Sequence, residues 1–562
     1  ATDLMNLVLF QESLNQSLAK AIFVSGAPLS MTEHPLWMDF FRKLRPSYIP
    51  PSRYRIASTY LDSQYVEMQN DITSQLKDSK TLHLQCDGWS NIRNESIINI
   101  VISKPEPLFV EFISTKDNRH NATYLAELII KTIEKYGPEK FLVVIGDNAA
   151  NMQSALNIVK EKFPKIIPLG CLAHLLHLLC GDILGCATVK TFMATAVDVV
   201  KTVKNSHLLK AIFDRLQSEK KSKDRISLKL PGNTRWGSHL FCLESLQANK
   251  SVLQKLAVSE EADISADLKR RILDDAVFWV RVDKLINILS PIIDLITSFE
   301  GNNEMIHKVY IKLKELQETL TREIPLSPLQ KAEENKVLKN LTKRMKRGIN
   351  RIHLAGDLLN PASLGCHLEP EELLDAIGFI CETGQSMGLK TTDIKKNLAD
   401  YRDKEGLWNR TFIWEGVTEK EEKEKQVAPL LWWRQLRGTC VLADVAIRIL
   451  GAPITSAATE RTFSTFSWIH SKRRNRLTTA RASKITYISH NWHLLNQQKN
   501  PKPKKTKRKP STPRSGTSQQ EVEDEEEVDN PRPLDELSSE SLSESEDESL
   551  EALNLDISSE SE

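Results

Sequence analysis

Two aspartates in the first third of the chain each follow an apolar segment that is typical of a β-strand. Asp87 ends the segment TLHLQCD before Gly88, and Asp147 ends FLVVIGD before Asn148. If these strands are neighbours in one sheet, both carboxylates project from the same end and repel each other unless a cation lies between them. Mg²⁺ suits such a pair because it prefers oxygen ligands and keeps water for a substrate. Each aspartate alone would be interpreted as a turn residue, but together they favour metal ligation.

A pair of such ions can flank a phosphodiester, one activating the attacking oxygen and the other stabilising the leaving oxygen. A third carboxylate is available in the segment 454–477, which predicts a helix with Ser456 or Thr455 as its N-cap and Glu460 in its first turn. The simpler explanation for Glu460 is that a carboxylate suits the helix dipole. A basic run follows and could complement the same dipole or hold DNA phosphates: Lys472, Arg473, Arg474 and Arg476.

The elements that must position these residues follow from the hydrophobic periodicity. Three closely spaced alternating segments (81–87, 96–103 and 108–114) predict antiparallel hairpins. An amphipathic helix capped by Asn121 and stopped at Gly137 comes next, then a wholly apolar strand (141–147), a helix and a last short strand. The order β-β-β-α-β-α-β is that of the ribonuclease-H-like fold, an α/β architecture in which the strands bearing Asp87 and Asp147 are central neighbours.

Composition shifts predict five regions. Residues 1–75 are expected to be N-terminal helices, 76–184 the first part of the catalytic core, and 185–430 an all-α insertion domain. Residues 431–496 are expected to complete the core, and 497–562 to be a disordered tail, first basic and then acidic. A break at 45–55 carries Arg45, Arg53 and Arg55, and a linker is favoured there over a phosphate-contacting loop.

Charge and cysteine usage narrow the class of protein. The net charge of +2 hides a tail, 521–562, that carries −17 and leaves +19 on residues 1–520. A basic body with an acidic tail favours a nucleic-acid partner, although a basic enzyme surface is the alternative. Eight scattered cysteines without a CxxC pair indicate a reducing compartment. No run of eighteen apolar residues is present, which predicts that the chain does not span a membrane. The first residues lack a signal-peptide pattern and do not begin with Met, which suggests a fragment or a processed start.

Five segments, taken in order, resemble the signature segments of the hAT superfamily of DNA transposases: CDGWSN, GDNAANM, CLAHLL, NTRWGS and SAATERTFS…KRRNRL. The resemblance covers roughly residues 1–495. It implies that Asp87, Asp147 and Glu460 form a DDE triad that binds Mg²⁺ or Mn²⁺. It also explains why 313 residues separate Asp147 from Glu460, because an all-helical insertion interrupts the catalytic fold in this family.

The resemblance gives roles to further residues. The Cys-x-x-His pattern falls on Cys171 and His174, which would support the active site, with a satisfied core histidine as the alternative. Four converging zinc ligands, including His177 and Cys180, are rejected because steps of three residues on one helix cannot form a tetrahedron. The Arg-Trp pair implies that Arg235 and Trp236 bind DNA, with Trp236 stacking on a displaced base during hairpin formation; a buried core tryptophan is the alternative.

The segment 429–461 is similar to the C-terminal dimerisation segment of the family. Its apolar helical surface would pair two copies, belong to the core of the catalytic domain, or do both at once: Trp432, Trp433, Leu442, Ala446 and Ile449. Family members commonly carry an N-terminal BED zinc finger, and no such Cys/His spacing is present in this sequence.

We therefore expect a DNA transposase that hydrolyses phosphodiesters with a divalent metal, forms hairpins on flanking DNA and transfers strands to target DNA. The alternative is a domesticated relative that binds DNA or regulates transcription without cleavage. The expected partners are double-stranded DNA, a second copy of the chain, and an import receptor that recognises KPKKTKRK (502–509). The expected location is the nucleus.

Overall fold

Four N-terminal helices precede the sheet in the computed structural model of the chain. The structure describes residues 2–115, 121–232, 236–301, 305–417, 427–471 and 474–499. The predicted disordered tail therefore lies almost entirely outside the described residues. The N-terminal helices are α1 (Thr2–Ser25), α2 (Pro35–Leu44), α3 (Arg53–Arg55) and α4 (Leu61–Asp78), with a π-helical turn over Ile56–Tyr60.

Arginines of the break at 45–55 are engaged within this N-terminal region. Arg45 lies over the ring of Phe10, with 4.3 Å between the guanidinium carbon and the ring centroid. Arg53 pairs with Glu33 at 3.4 Å. Both contacts connect the break to the helices around it, which agrees with the linker interpretation.

The predicted order of elements β-β-β-α-β-α-β is present. It runs β1 (Leu82–Ser90), β2 (Ser96–Ser103), β3 (Pro107–Ser114), α5 (Ala122–Tyr136), β4 (Phe141–Gly146), α6 (Ala150–Lys162) and β5 (Ile167–Gly170). The five strands form one mixed sheet in the order β3-β2-β1-β4-β5. β1 pairs antiparallel with β2 and parallel with β4, so the strands that carry or precede the two aspartates are central neighbours, as predicted.

Local sequence explains where α5 begins and ends. The side chain of Asn121 accepts a hydrogen bond from the backbone N–H of Tyr124 at 2.8 Å, which satisfies one of the free donors of the first turn. The helix ends at Gly137, whose φ of +99° is a conformation that a side chain would strain. Both termini were predicted from the sequence.

Helices are the only regular secondary structure in the described part of residues 172–499. They are α7 (Leu172–Leu184), α8 (Ala187–Asn205), α9 (His207–Ser218), α10 (Gly237–Ala248), α11 (Lys250–Val258), α12 (Ala266–Leu273), α13 (Phe278–Gly301), α14 (Ile306–Glu323), α15 (Lys331–Gly348), α16 (Arg351–Leu358), α17 (Pro370–Ser386), α18 (Thr391–Asp403), α19 (Pro429–Gln435), α20 (Val441–Leu450), α21 (Ala457–Ile469) and α22 (Thr479–Lys499), with short 3₁₀ turns. The division of the chain into domains remains a prediction.

The two faces of the sheet belong to different cores. Leu84 and Val144 pack with α5 and α6 on one face. On the other face, Val143 and Ile145 of β4 join a large apolar cluster that runs through α7 and the helices after it. Because this cluster is continuous, the helices after β5 are supported directly by the sheet. Among the described residues no single helix is long and apolar enough to cross a membrane; α7 and α8 would reach that length only as a pair, and they meet at an 87° bend.

Candidate active site

Strand register brings the first two carboxylates level with each other. The last paired residues of β1 and β4 are Gln85 and Ile145. Continuing that parallel register by two residues places Asp87 opposite Asp147, just beyond the carboxyl end of β4. In an open sheet with parallel strands this edge is where ligand sites form.

One part of the sequence interpretation is wrong. Asp87 does not end its strand, because β1 continues to Ser90 and pairs with β2 as far as Ser96. What ends at this point is the pairing with β4. Asp87 therefore leaves the parallel part of the sheet while its backbone stays fixed opposite Asn99 in the antiparallel part. A carboxylate in this position is held more rigidly than one in a turn.

The Asp87 carboxylate is surrounded by polar partners and by other acids. Its Oδ1 accepts the backbone N–H of Gly88 at 2.8 Å, and its Oδ2 lies 3.2 Å from the hydroxyl of Thr459. Burial, together with the charges of Asp147 and Glu460, raises the pKa of Asp87 to about 7. Three carboxylates from distant parts of the chain therefore act on one another electrostatically.

Glu460 is brought to the sheet by an anchor at the start of α21. The residue before it, Thr459, contacts Asp87 through its hydroxyl, and its carbonyl oxygen accepts a hydrogen bond from the Asn99 side chain at 3.1 Å. Ser456 is the N-cap residue, as expected, but its side chain makes no capping bond; the hydroxyl of Thr455 accepts the N–H of Ala457 at 3.4 Å instead. The helix ends at Ile469, earlier than the segment 454–477 predicted.

The donor chemistry of this group fits Mg²⁺ or Mn²⁺, since carboxylate oxygens are the ligands that hard divalent cations prefer. A raised Asp87 pKa is the expected sign of acids gathered without a compensating charge. In the described part of the chain, however, no three His, Cys, Asp or Glu side chains are arranged as ligands of one common ion. The carboxylates are thus brought to one region of the sheet edge, and their side chains do not yet form a closed cage.

His174 lies beside the second aspartate. Its Nδ1 accepts the backbone N–H of Asn148 at 3.2 Å, so the neutral ring carries its proton on Nε2 and offers a donor there. Burial lowers the pKa of His174; Asp147 opposes that shift, and the positive charges of His177, Arg344 and Arg347 add to it. A neutral imidazole with a fixed donor is suited to positioning an anionic oxygen.

Cys171 has a structural position. Its sulfur lies 3.4 Å from the backbone nitrogen of Ser456, and its carbonyl oxygen accepts a hydrogen bond from the Asn148 side chain at 2.8 Å. Burial raises the pKa of the Cys171 thiol to about 11. Cys171 therefore joins the start of α7 to the start of α21, whereas His177 faces Glu300 at 3.8 Å. The residues of the rejected zinc quartet point to different partners.

Trp236 is partly exposed and lies on α7, at the other end of the helix face that carries His174. Its indole lies 3.6 Å from the position that a Cβ on Gly181 would occupy, so the absence of a side chain there lets the ring lie on α7. Gly181 follows His174 by seven residues, which is two turns, so both lie on one face about 10 Å apart. With 41% of its surface exposed, Trp236 is not a core residue.

The predicted DNA-binding residues lie in different environments, and some lie outside the described residues. Arg235, Lys472 and Arg473 lie outside the described residues. Arg474 is engaged within the chain, because its guanidinium donates to the carbonyl of Gly26 and lies over the Trp468 ring. These contacts tie the basic turn to the end of α1, and a role of Arg474 in DNA binding stays a prediction. Arg476 is exposed.

The predicted dimerisation side chains are covered by their own chain. Trp433 is fully buried, and its indole N–H donates to the Leu359 carbonyl at 2.7 Å, while Trp432 stacks on Trp408. An aromatic cluster forms around Tyr401. The remaining three of the set are also fully buried: Leu442, Ala446 and Ile449. These side chains belong to the core, because folding buries their apolar area before a partner could, and a second copy must be contacted through other residues of this region.

Sequence reasoning missed several residues of the site. Asn99 and Thr459 hold α21 on the sheet, and Asn148 holds His174. Asn148 gave one signal, since it follows Asp147 directly in a polar segment. Asn99 occurs within an otherwise apolar strand, and a buried polar residue in such a strand is an indication of a specific partner.

The raised pKa of Asp87 predicts how stability depends on pH without metal. The unfolded chain releases this proton near pH 4 and the folded chain near pH 7, so the wild-type protein loses stability as pH rises between these values. Asp87→Asn does not titrate. The variant should therefore become more stable than the wild type by on the order of 2 kcal/mol at pH 8, after allowing for solvent screening.

Denaturant unfolding in EDTA between pH 5 and 8 measures that difference, and the buried histidines cancel because both proteins contain them. Added Mg²⁺ should reduce the difference. A constant difference across this range would contradict the electrostatic account of the site.

Comparisons with known proteins match three parts of the chain. Residues 51–199 match a family described as a domain of unknown function (DUF659), residues 169–276 match the ZBED1 RNase-like helical domain, and residues 410–492 match the hAT family C-terminal dimerisation region. Together the matches span the sheet, the carboxylates and the helices around α7 and α21.

Two maize (Zea mays) proteins are similar over part of the chain. One, named AC transposase, is 23% identical over 54% of this chain and 39% of its own length. The other, named AC9 transposase, is 23% identical over 44% of this chain and 31% of its own length. The chain thus spans about a third of the curated relatives it matches. The ordered family segments, the carboxylates at the sheet edge and these matches agree, and together they support a relationship of this chain to the hAT superfamily of transposases.

Proposed function

We propose that the chain is a metal-dependent DNA transposase with a ribonuclease-H-like core, which cuts DNA at element ends and joins the 3′-hydroxyl ends to target DNA. The observation that carries this proposal is the position of Asp87, which the strand register sets level with Asp147 and which contacts Thr459, the residue before Glu460. Burial at this position, together with the charges of Asp147 and Glu460, raises the pKa of Asp87 to about 7. Such a group is costly to the fold, and a cation flanked by phosphates offsets that cost. The retained carboxylates favour cleavage over the alternative of DNA binding or transcriptional regulation alone.

The roles of the side chains follow from their positions. Asp87, Asp147 and Glu460 would hold Mg²⁺ or Mn²⁺. When bound, the ion supplies charge stabilisation at the phosphodiester oxygens. Asp87 must give up its proton when the cation binds, because its pKa is close to neutral. His174 would direct its Nε2 proton to a phosphate oxygen, since Nδ1 is already occupied by Asn148.

Hairpin formation would use the far end of the α7 face. A base displaced from flanking DNA needs an exposed aromatic ring, and Trp236 presents one on Gly181. The hairpin forms when a free 3′-hydroxyl attacks a phosphodiester of the opposite strand. A new O3′–P bond forms, the P–O3′ bond of the opposite strand breaks, and its 3′ oxygen takes up a proton and leaves as a 3′-hydroxyl. The protein's part in this step is positioning.

Cleavage of labelled duplexes tests the proposal. Duplexes are made with the DNA sequences that flank the gene for this protein in its genome, and they are incubated with the full chain and MgCl₂. Denaturing gels separate nicked strands from hairpins. EDTA should abolish both products. Trp236→Ala should reduce hairpins about 10- to 100-fold, the effect of losing one base stack of about 1–3 kcal/mol, with a smaller effect on the first nick.

Trp37→Ala is the matched control, because Trp37 is 42% exposed on α2 and lies outside the site. Equal loss of nicks and hairpins in Trp236→Ala would argue for a purely structural role of this tryptophan. The absence of any Mg²⁺-dependent product from the wild-type chain would favour the non-cleaving alternative.

Partners and location follow from the same proposal. The chain would act on double-stranded DNA as a dimer or larger homo-oligomer, in line with its dimerisation region. It would act in the nucleus, with the lysine-rich run at 502–509 read by an import receptor. That run lies outside the described residues, and a fluorescent fusion with and without it tests this location.

A further inference from the structure

Helix α15 lies along α7 with its C-terminal end beside the site. A Cβ on Gly348, the last residue of α15, would meet the Leu175 side chain at 2.7 Å, so the two helices are in close contact there. One turn earlier in α15, Arg344 forms two hydrogen bonds with Asp182, at 2.6 and 3.0 Å. Since Gly348 adjoins the start of α7 and Arg344 adjoins its end, the two helices run antiparallel. The last turn of α15, which carries Lys346 and Arg347, therefore lies near the start of α7.

Arg347 follows Arg344 by three residues and is therefore on the same side of α15. Arg344 is compensated by Asp182, and both are largely buried. Arg347 is exposed, and it forms no ion pair with any residue that the structure describes. Gly348, which follows Arg347, packs against Leu175, which follows His174, so this end of α15 lies beside the His174 end of α7. In agreement, the positive charges of Arg344 and Arg347 both lower the pKa of His174.

The groups around this face are known. Asp147 and His174 lie at one end, His177 and Glu300 in the middle, and Trp236 at the other end. The helix face between His174 and Trp236 is about 10 Å long, which corresponds to roughly three steps of 3.4 Å measured along the axis of a DNA duplex. A strand on this face would pass between a neutral histidine and an exposed tryptophan, and its phosphates would need a cation on the flank.

We propose that Arg347 binds a backbone phosphate of the DNA strand that lies on α7 between His174 and Trp236. The inference rests on the proposed function for the identity of the ligand, and it adds a contact from the helical region that the sequence did not indicate. An arginine suits this task because its planar guanidinium can bind two phosphate oxygens at once. The neighbouring pair of Arg344 with Asp182 fixes the helix from which Arg347 extends.

Salt-dependent binding tests the proposal without relying on cleavage. The probe is a short duplex closed by a hairpin at one end, and the proteins are the full-length wild type, Arg347→Gln and Arg347→Lys. Removing one phosphate contact should make the slope of log K against log salt shallower by about 0.9 for Arg347→Gln, whereas Arg347→Lys should keep the wild-type slope. Lys339→Gln is the control, because Lys339 is exposed on the same helix and turned about 80° away from Arg347.

A second measurement locates the contact. Single phosphates near the hairpin tip are replaced one at a time by uncharged methylphosphonates. When the methylphosphonate is at one position within about three nucleotides of the tip, the wild type and Arg347→Gln should bind the DNA with equal affinity. A wild-type slope in Arg347→Gln, or an advantage that persists at every position, would overturn the proposal. Because binding is measured, a chain that fails to cleave DNA would refute the proposed function and still leave this result interpretable.

Discussion

Asp87→Asn should lower the rate of DNA cleavage by roughly 10³-fold or more, which corresponds to about 4 kcal/mol of transition-state stabilisation. The substitution keeps the shape of the side chain and its acceptor oxygen but removes the negative charge that a divalent ion needs. Affinity for DNA measured in EDTA should stay within a fewfold of the wild type or rise slightly, because one repulsive charge facing the phosphates is lost. Single-turnover cleavage and a binding titration on the same duplex measure the two quantities.

The control is Asp71→Asn, which changes the same chemical group on the exposed side of α4. It should alter neither cleavage nor binding. Cleavage by Asp87→Asn at the wild-type rate would remove Asp87 from the catalytic group. A parallel loss of DNA binding would mean that the substitution damaged the fold, since Asp87 also contacts Thr459 and Gly88.

Trp433→Ala should destabilise the folded chain by about 3–5 kcal/mol, the range measured when large buried aromatic residues are truncated. Trp433 is fully buried, its indole N–H donates to the Leu359 carbonyl, and its ring packs 5.0 Å from that of Tyr401. Truncation therefore creates a cavity and also leaves a buried carbonyl without its donor. Denaturant unfolding measures the loss, and sedimentation at several protein concentrations measures the oligomeric state.

Leu431→Ala on the same helix is the matched control, because half of the Leu431 surface is exposed. Its cost should stay within about 0.5 kcal/mol. If Trp433 were mainly an interface residue, the alanine variant would dissociate into monomers that keep the stability of the wild type. The structure predicts the reverse, an unstable chain at every concentration, so contacts between copies in the region 410–492 must use side chains that remain at its surface.

Much of the fold could be predicted from local pattern. The strands around Asp87 and Asp147 and the helix capped by Asn121 were found from alternation, apolar runs and turn residues. Such signals are local because a strand or helix is specified largely by which faces its neighbouring residues present. The helical stretch after α7 was predicted on the same basis, and its described part contains only helices.

Local reasoning could not choose between alternatives where a partner is distant in the sequence. Trp433 and Trp432 have the apolar character of an interface, and only the packing of Tyr401 and Trp408 around them makes them core. Arg474 belongs to a basic run that is typical of a phosphate site, yet it contacts Gly26, 448 residues away along the chain. Charge and hydrophobicity indicate which kinds of group a side chain can bind. They do not indicate which of the possible partners contacts it in the folded chain.

By itself, then, the sequence predicted the element order that the structure contains, the resemblance to the hAT superfamily and the three candidate carboxylates, since all of these depend on residue types at fixed spacing. Only the tertiary structure decided that Asp87 lies within a continuing strand, that the register with β4 sets it level with Asp147, and that Thr459 brings Glu460 to it across 372 residues. It also decided that the end of α15 packs against the start of α7, where Gly348 meets Leu175. The physical reason is that register, helix docking and burial depend on contacts between distant segments, whose energies are settled only when all the segments pack together.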